Sequence, residues 1–469
     1  MTFSSPVFLF VFFPLVCACY FLIPARFLRL RNAWLTAASL VFYGFGEPTA
    51  MLLMLGVVAW SWICALLLRK GGAYRRVFLP LGILGDLAVL GIWKYADFAV
   101  DSVNALLHTT IAQPQLRLPI GISFFVFQAV SYIMDVSRGE AEAQRSYFRL
   151  LLYIAFFPQL IAGPIVRYQT VAEALASRKS TAEDTAAGLR RMILGLSKKL
   201  LIADTVGQIA DTAFNASPDA AMPLAWLGAI CYTLQIYYDF SGYSDMAVGM
   251  GRIFGFAFPE NFDHPYCAAS ITEFWRRWHI SLTTWFRQYL YIPLGGNRKG
   301  KARTILNKWI VFLSTGLWHG ASWNFVIWGA INGALMHIES LFQKKGRKPR
   351  RPWYMHIYTV LAVVLAFVIF RADTMKQAGQ MYRAMFAGEI FSRAAFSPCV
   401  QLLSPLAVTV LLAAFLCATP LPMQTAQKIR AKGGALAETA GAVLTVVLLL
   451  LCIMSAAATT YHPFIYFRF

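Results

Sequence analysis

Long apolar runs alternate with short cationic segments along the whole chain. A membrane-spanning helix needs ~20 predominantly apolar residues. On that measure the pattern predicts spans or part-spans at 6–23, 33–46, 49–68, 77–95, 118–135, 147–165, 187–206, 223–256, 305–317, 321–339, 354–371, 403–420 and 438–458. Proline and glycine fall between and inside these runs, as in Leu118-Pro119-Ile120-Gly121 and Gly163-Pro164. Interruptions at membrane depth are tolerated where the backbone is buried in protein or lines a cavity. The pattern therefore argues against a simple bundle of straight helices. No convincing internal repeat is visible.

The polar segments orient the spans. Segments 24–32, 69–76, 178–199, 272–303 and 343–351 are cationic, and the positive-inside rule assigns them to the cytoplasm. Loop 97–117 holds two Asp and one Arg and is assigned, with the N-terminus, to the other side. Gly46-Glu47-Pro48 then reads as the outer turn of a hairpin. Segment 6–23 has no basic residue ahead of it, so it reads as a retained helix rather than a cleaved signal.

Composition agrees with an all-α polytopic membrane protein: 58% of the 469 residues are hydrophobic and 14% charged. The net charge of +20 would suggest nucleic acid in a soluble chain. Here the basic residues sit beside apolar runs, at Arg26, Arg29 and Arg31, at Arg69, Lys70, Arg75 and Arg76, and at Lys344, Lys345, Arg347, Lys348, Arg350 and Arg351. Such clusters set topology and attract anionic lipid, so the expected partner is membrane lipid and no nucleic acid. The eight cysteines are scattered, several within predicted spans (Cys17, Cys19, Cys64, Cys417, Cys452), with no CxxC and no Cys/His ligand spacing. Neither a metal site nor a disulfide framework is supported.

Against this background one titratable group stands out. Trp318-His319-Gly320 lies in a stretch without charge from Val311 to Met336. The segment from Arg303 to Lys344 begins and ends with cytoplasmic charge, and its first arm, 305–317, has 13 residues. At 1.5 Å per residue that arm reaches only ~20 Å, against a hydrocarbon core of ~30 Å. His319, at the turn, is therefore expected within the depth of the membrane. An ionisable side chain there is a functional-site candidate by default; the alternative is a core histidine bonded to a backbone carbonyl.

A second polar stretch precedes it. From Thr272, Phe274, Trp278 and Leu282 recur at helical spacing, as do Trp275 and His279, with Arg276, Arg277 and Arg287 supplying charge. This predicts one amphipathic helix at the cytoplasmic interface, started by Thr272 and Glu273 without a full capping box. It is either a plain surface helix or a vestibule for a phosphate-bearing substrate, which arginine forks suit. Asp239 and Asp245, in the otherwise apolar Tyr237–Asp245, need buried partners. His108, His356 and His462 receive no role. No Walker motif, GxSxG elbow or HExxH is present.

Taken together, Pro119–Phe124, Phe157–Ile165, Tyr238–Asp245, Phe274–Leu282, Gly316–Ala321 and the C-terminal Pro463–Phe467 resemble the membrane-bound O-acyltransferase superfamily. The likeness is to its bacterial branch of alginate and peptidoglycan O-acetylation. It covers the chain as a single domain, 1–469, with N-terminal helices in 1–117, the motif-bearing core in 118–338 and C-terminal helices in 339–469. Gln288 and Arg468 depart from the pattern, where relatives commonly carry Asp and Gln.

The resemblance implies a ring of about 11–13 transmembrane or re-entrant helices around a thin central region, with funnels from both faces. It implies transfer of acetyl from a cytoplasmic donor to an extracytoplasmic polysaccharide, in a multi-pass protein of the bacterial inner membrane. His319 matches the catalytic histidine and His279 the second, more cytoplasmic one. An extracytoplasmic esterase-like acetyltransferase is the implied partner. Acetyl-CoA is the expected donor substrate, with no permanently bound cofactor. Arg276, Arg277 or Arg298 would meet its phosphates, and Trp275, Trp278, Trp318, Trp323 and Asp239 would line the donor site or tunnel. The rivals are D-alanyl transfer to teichoic acid and, from another class, a secondary transporter relaying protons through Asp239, Asp245 and His319. The transporter predicts inverted repeats.

Overall fold

The computed structural model describes residues 1–216, 219–342, 352–458 and 464–465. Helices account for all its regular structure, and no strand occurs among the described residues. This is an all-α polytopic membrane protein. The cationic run Lys344–Arg351, His462 and most of the C-terminal motif (Pro463, Tyr466, Phe467, with Arg468 beyond it) lie outside the described residues.

Among the described residues, five helices are long and apolar enough to cross a membrane: Pro48–Leu68, Gly72–Leu107, Trp323–Phe342, Trp353–Arg371 and Leu421–Ala458. Arg393–Leu402 and Pro405–Cys417, bent by 81°, make a sixth if they count as one span. The 11–13 expected from the resemblance count transmembrane and re-entrant helices together, and several apolar runs are not single apolar helices. Run 147–165 breaks at Phe156 into Tyr147–Ala155 and the single turn Phe157–Leu160. Run 223–256 is a 32-residue helix, Met222–Ile253, whose Asp239, Ser241 and Ser244 are buried against protein.

The chain forms two compact units, Met1–Met192 with Tyr243–Glu260, and Ile193–Gly242 with Asn261–Phe469. In the first unit, packed aromatic rings of Phe3, Phe8, Phe42, Phe157 and Tyr243 form a core, Phe3 and Tyr243 stacking at 4.3 Å. Asp86 and Lys94, charges on a spanning helix, turn inward, where Asp86 accepts from Ser61 at 2.9 Å and Lys94 donates to Ser123 at 3.1 Å. Asp245 finds its cation in Arg191, 2.8 Å away.

In the second unit Asp239 is equally committed. It lies 2.9 Å from the ammonium of Lys199, which also pairs with Asp204 at 2.7 Å. Its other oxygen accepts the Ile465 N–H at 2.7 Å. Asp239 therefore ties helices and the 464–465 segment together.

The element that positions the candidate site is the helical hairpin Lys301–His319 and Trp323–Phe342. Its first arm has 19 residues rather than 13, because the helix starts inside the cationic segment. From Lys308, its last charged residue before the apex, eleven steps bring the chain ~16 Å deeper to His319, about half of a ~30 Å core. The arms cross at glycines. A Cβ on Gly316 would sit 2.3 Å from the Phe325 carbonyl oxygen, and one on Gly329 2.4 Å from that of Phe312. Gly320 and Gly333 complete a small-xxx-small spacing on each arm, the device that lets helices pack closely in lipid.

Filling that crossing should loosen the hairpin. Gly316→Ala and Gly329→Ala are each expected to cost ~1–3 kcal/mol through overpacking. Gly91→Ala, whose added carbon meets nothing within 4 Å, should stay within about 0.5 kcal/mol. Thermal unfolding in one detergent compares them; equal shifts in all three would remove the crossing as the constraint.

Candidate active site

The cytoplasmic polar stretch starts with a tight cap. Ser270, extended at φ −164°, accepts the Glu273 N–H at 3.0 Å, and Glu273 reaches back to the Ala269 N–H at 3.2 Å. The starting pair is thus Ser270 and Glu273, close to a reciprocal capping box, and not Thr272 with Glu273. Glu339, the sole acid in Trp323–Phe342, accepts the Ile271 N–H at 2.6 Å and the Thr272 N–H at 3.1 Å. A carboxylate at orphan amides of a helix start favours that docking. It fastens this helix to the second arm of the hairpin.

The expected single amphipathic helix is two short ones, Ile271–Arg277 and Ile280–Phe286. Trp278 is extended and His279 adopts the left-handed conformation, φ 44° and ψ 55°. Segment 261–263 causes the break by taking over backbone bonds: Ile280 N–H donates to Asn261 O at 2.9 Å, and Asp263 N–H to Arg277 O at 2.9 Å. The Asn261 side-chain oxygen also accepts the Ser281 N–H at 3.2 Å and the Ser281 hydroxyl at 2.9 Å. It lies 3.1 Å from His279 Nδ1. A non-glycine residue held at positive φ costs energy and is common at functional sites.

The break aims His279 inward, 1% exposed, with the Phe240 ring 4.6 Å and the Trp318 ring 5.9 Å away. This segment lies outside the spanning helices. Burial pushes the His279 imidazole down to about 3, so it is neutral at pH 7. His319 closes the first arm of the hairpin, 3% exposed. The rings of Trp318, Trp328 and Phe370 stand nearly perpendicular to it at 5.0, 5.2 and 5.1 Å. Trp318 therefore touches both histidines, which the sequence separates by forty positions.

The other expected site residues divide. Trp275 donates to Asn332 at 3.2 Å and meets Trp328 at 5.5 Å, and Trp278 packs on Phe367 at 5.4 Å, so both are wall. Trp323 is 57% exposed where its helix begins. Arg276 is exposed. Arg277 is committed to Glu273 at 2.8 Å, one helical turn back, which weakens it as a phosphate ligand. The sequence reading missed Asn261, Glu339 and Phe370. Asn261 sits in the polar run Pro259–Tyr266 just ahead of the expected helix, and Glu339 is a lone acid in an apolar helix; Phe370 carried no signal. Among the described residues no three His, Cys, Asp or Glu side chains are grouped to hold a metal.

Comparison with known proteins gives one family. The sequence model of the membrane-bound O-acyltransferase family matches residues 103–374. The probable alginate O-acetylase AlgI of Pseudomonas putida is 40% identical over the whole of both chains. Its namesake in Azotobacter vinelandii is 45% identical over 82% of this chain and 78% of its own. The peptidoglycan O-acetyltransferase of Helicobacter pylori is 34% identical over 82% of this chain and 80% of its own.

The neutral His279 has a sign-definite consequence. Its folded-state value, about 3, lies below the ~6.5 of an unfolded histidine. Between them the unfolded chain binds a proton that the folded one does not, so stability falls as pH falls through that window. The contribution is at most ~1.4 kcal/mol per pH unit. His279→Asn, which tolerates the left-handed backbone, should flatten that limb in thermal melts taken across the window. Identical limbs would mean that the ring is not buried neutral.

Proposed function

Because the chain belongs to the membrane-bound O-acyltransferase family, we propose that it carries acetyl from cytoplasmic acetyl-CoA through the membrane for O-acetylation of an extracytoplasmic polysaccharide. The observation that carries this reading is the meeting of His279 and His319 on Trp318, with His319 at the apex of the hairpin. The polysaccharide acceptor is carried over from what the relatives are named for, alginate and peptidoglycan. Full-length likeness to O-acetylases favours acetyl over D-alanyl as the group moved. The bacterial inner membrane is the location that this route requires.

In the proposed step His319 takes the proton of an acceptor hydroxyl as that oxygen attacks the thioester carbonyl. The carbon–sulfur bond breaks, the ester forms, and the departing thiolate receives the proton as CoA thiol. General-base help of this kind contributes ~10²–10⁴ in rate. His279 is the second proton-handling ring, on the side from which the donor enters. Arg276 and Arg298, both exposed, meet the donor phosphates, while Arg277 holds the helix start. Aromatic rings cover His319, so reactants reach it by displacing them. An extracytoplasmic esterase-like acetyltransferase completes delivery to the glycan.

A proton-relay transporter needs Asp239, Asp245 and His319 to exchange protons. Asp239 is instead ion-paired with Lys199 and Asp245 with Arg191, which removes support for that rival.

Reconstituted protein with labelled acetyl-CoA tests the assignment. His319→Ala should lower transfer by ~10²–10⁴, and equal transfer in both proteins removes His319 from the mechanism. Arg276→Ala should raise KM for the donor at unchanged kcat, the signature of lost uniform binding. An unchanged KM removes Arg276 from donor recognition.

A further inference from the structure

We propose that Asn261 is the positioning residue of His279: its side-chain oxygen fixes the ring's tautomer and direction, leaving the lone pair on Nε2. The inference rests on the reading of His279 as a proton-handling group.

The hydrogen-bond chemistry assigns the proton. A backbone N–H can only donate, and that of Ser281 points at the Asn261 side-chain atom at 3.2 Å. That atom is therefore oxygen, an obligate acceptor. His279 Nδ1 lies 3.1 Å from the same oxygen. Two acceptors would repel at that distance, so Nδ1 carries the hydrogen and donates. A neutral imidazole has only one N–H, which places the lone pair on Nε2. Buried at 1% exposure and held neutral, the ring presents its basic nitrogen at the end opposite Asn261.

The surroundings make this more than a helix cap. Asn261 is itself 2% exposed. Its backbone oxygen accepts from Ile280 and its side chain from Ser281, so one residue holds both neighbours of the left-handed turn and the imidazole. A histidine base oriented by a hydrogen bond at its other nitrogen is the general logic of acid–base sites. Here the orienting group is a neutral amide instead of a carboxylate, which holds the tautomer without favouring protonation. The charged or titratable groups on the adjoining segments include Glu260, Asp263, His264, Arg276 and the Glu273–Arg277 pair, with the Asp239–Lys199 pair beside Phe240 and His319 beyond Trp318.

The test uses the full protein in the acetyl-transfer assay with four variants: Asn261→Asp, Asn261→Ala, His279→Asn, and the double Asn261→Ala/His279→Asn. Asn261→Asp keeps the acceptor but adds charge, which favours the imidazolium. Its kcat should keep an alkaline plateau while the acid limb moves to higher pH. Asn261→Ala should lower kcat by ~10²-fold, the scale of a misplaced group, with KM for acetyl-CoA unchanged. In the His279→Asn background the same change should add almost nothing, since residues acting as a unit are not additive. An equal further loss there, or an unmoved acid limb in Asn261→Asp beside an inactive His279→Asn, overturns the positioning role and leaves the His279 reading intact. Full activity of His279→Asn instead sinks that reading, and this inference with it. If Asn261→Ala does not fold, the Asn261→Asp profile decides alone.

Discussion

Everything at the candidate site depends on two backbones touching. Where Gly316 faces Phe325 and Gly329 faces Phe312, there is no room for even a methyl group. In lipid the hydrophobic effect does not press helices together, so close van der Waals contact has to do so. Because the arms approach this closely, three residues suffice to turn the chain, and the first helix can end on its histidine. The same approach carries Trp328 against the imidazole. A wider crossing would need a longer loop and would leave His319 on it, where rotamer and depth are poorly defined.

The second support is polar and comes from outside the hairpin. Glu339 fastens one short helix by its exposed amides, and segment 261–263 interrupts the chain between that helix and the next. Other charges are spent on architecture: Lys199 with Asp239 and Asp204, Arg191 with Asp245, and Arg371 with Asp211 at 2.6 Å. Buried polar groups that are satisfied rigidify their surroundings. The two imidazoles are set instead among aromatic side chains.

How much of this could be read beforehand follows from the range of each interaction. His319 was legible because an isolated titratable residue in an apolar run needs no partner to be noticed. Its place at the turn of a hairpin was legible too, although the arm was taken as too short; charged residues at the start of a helix hide its true beginning. The break at Trp278–His279 was not legible, because Phe274, Trp278 and Leu282 keep helical spacing across it. What breaks the helix is Asn261, eighteen positions away, and periodicity carries no information about such a partner. The ion pair of Asp239 and the exposure of Trp323 were hidden for related reasons: the first is set by Lys199, forty positions earlier, and the second by which way a helix faces after a three-residue turn.

The rings around His319 are apolar, yet they are not electrically inert. Each carries a quadrupole, negative over its face and positive at its edge. Perpendicular neighbours at 5.0–5.2 Å place such fields directly on the imidazole. An aromatic face turned towards a cation attracts it by ~0.5–2 kcal/mol. In the proposed step the ring becomes a cation when it takes up a proton, buried at 3% exposure. Aromatic faces that meet that cation would then serve as its counter-field for the lifetime of the charge.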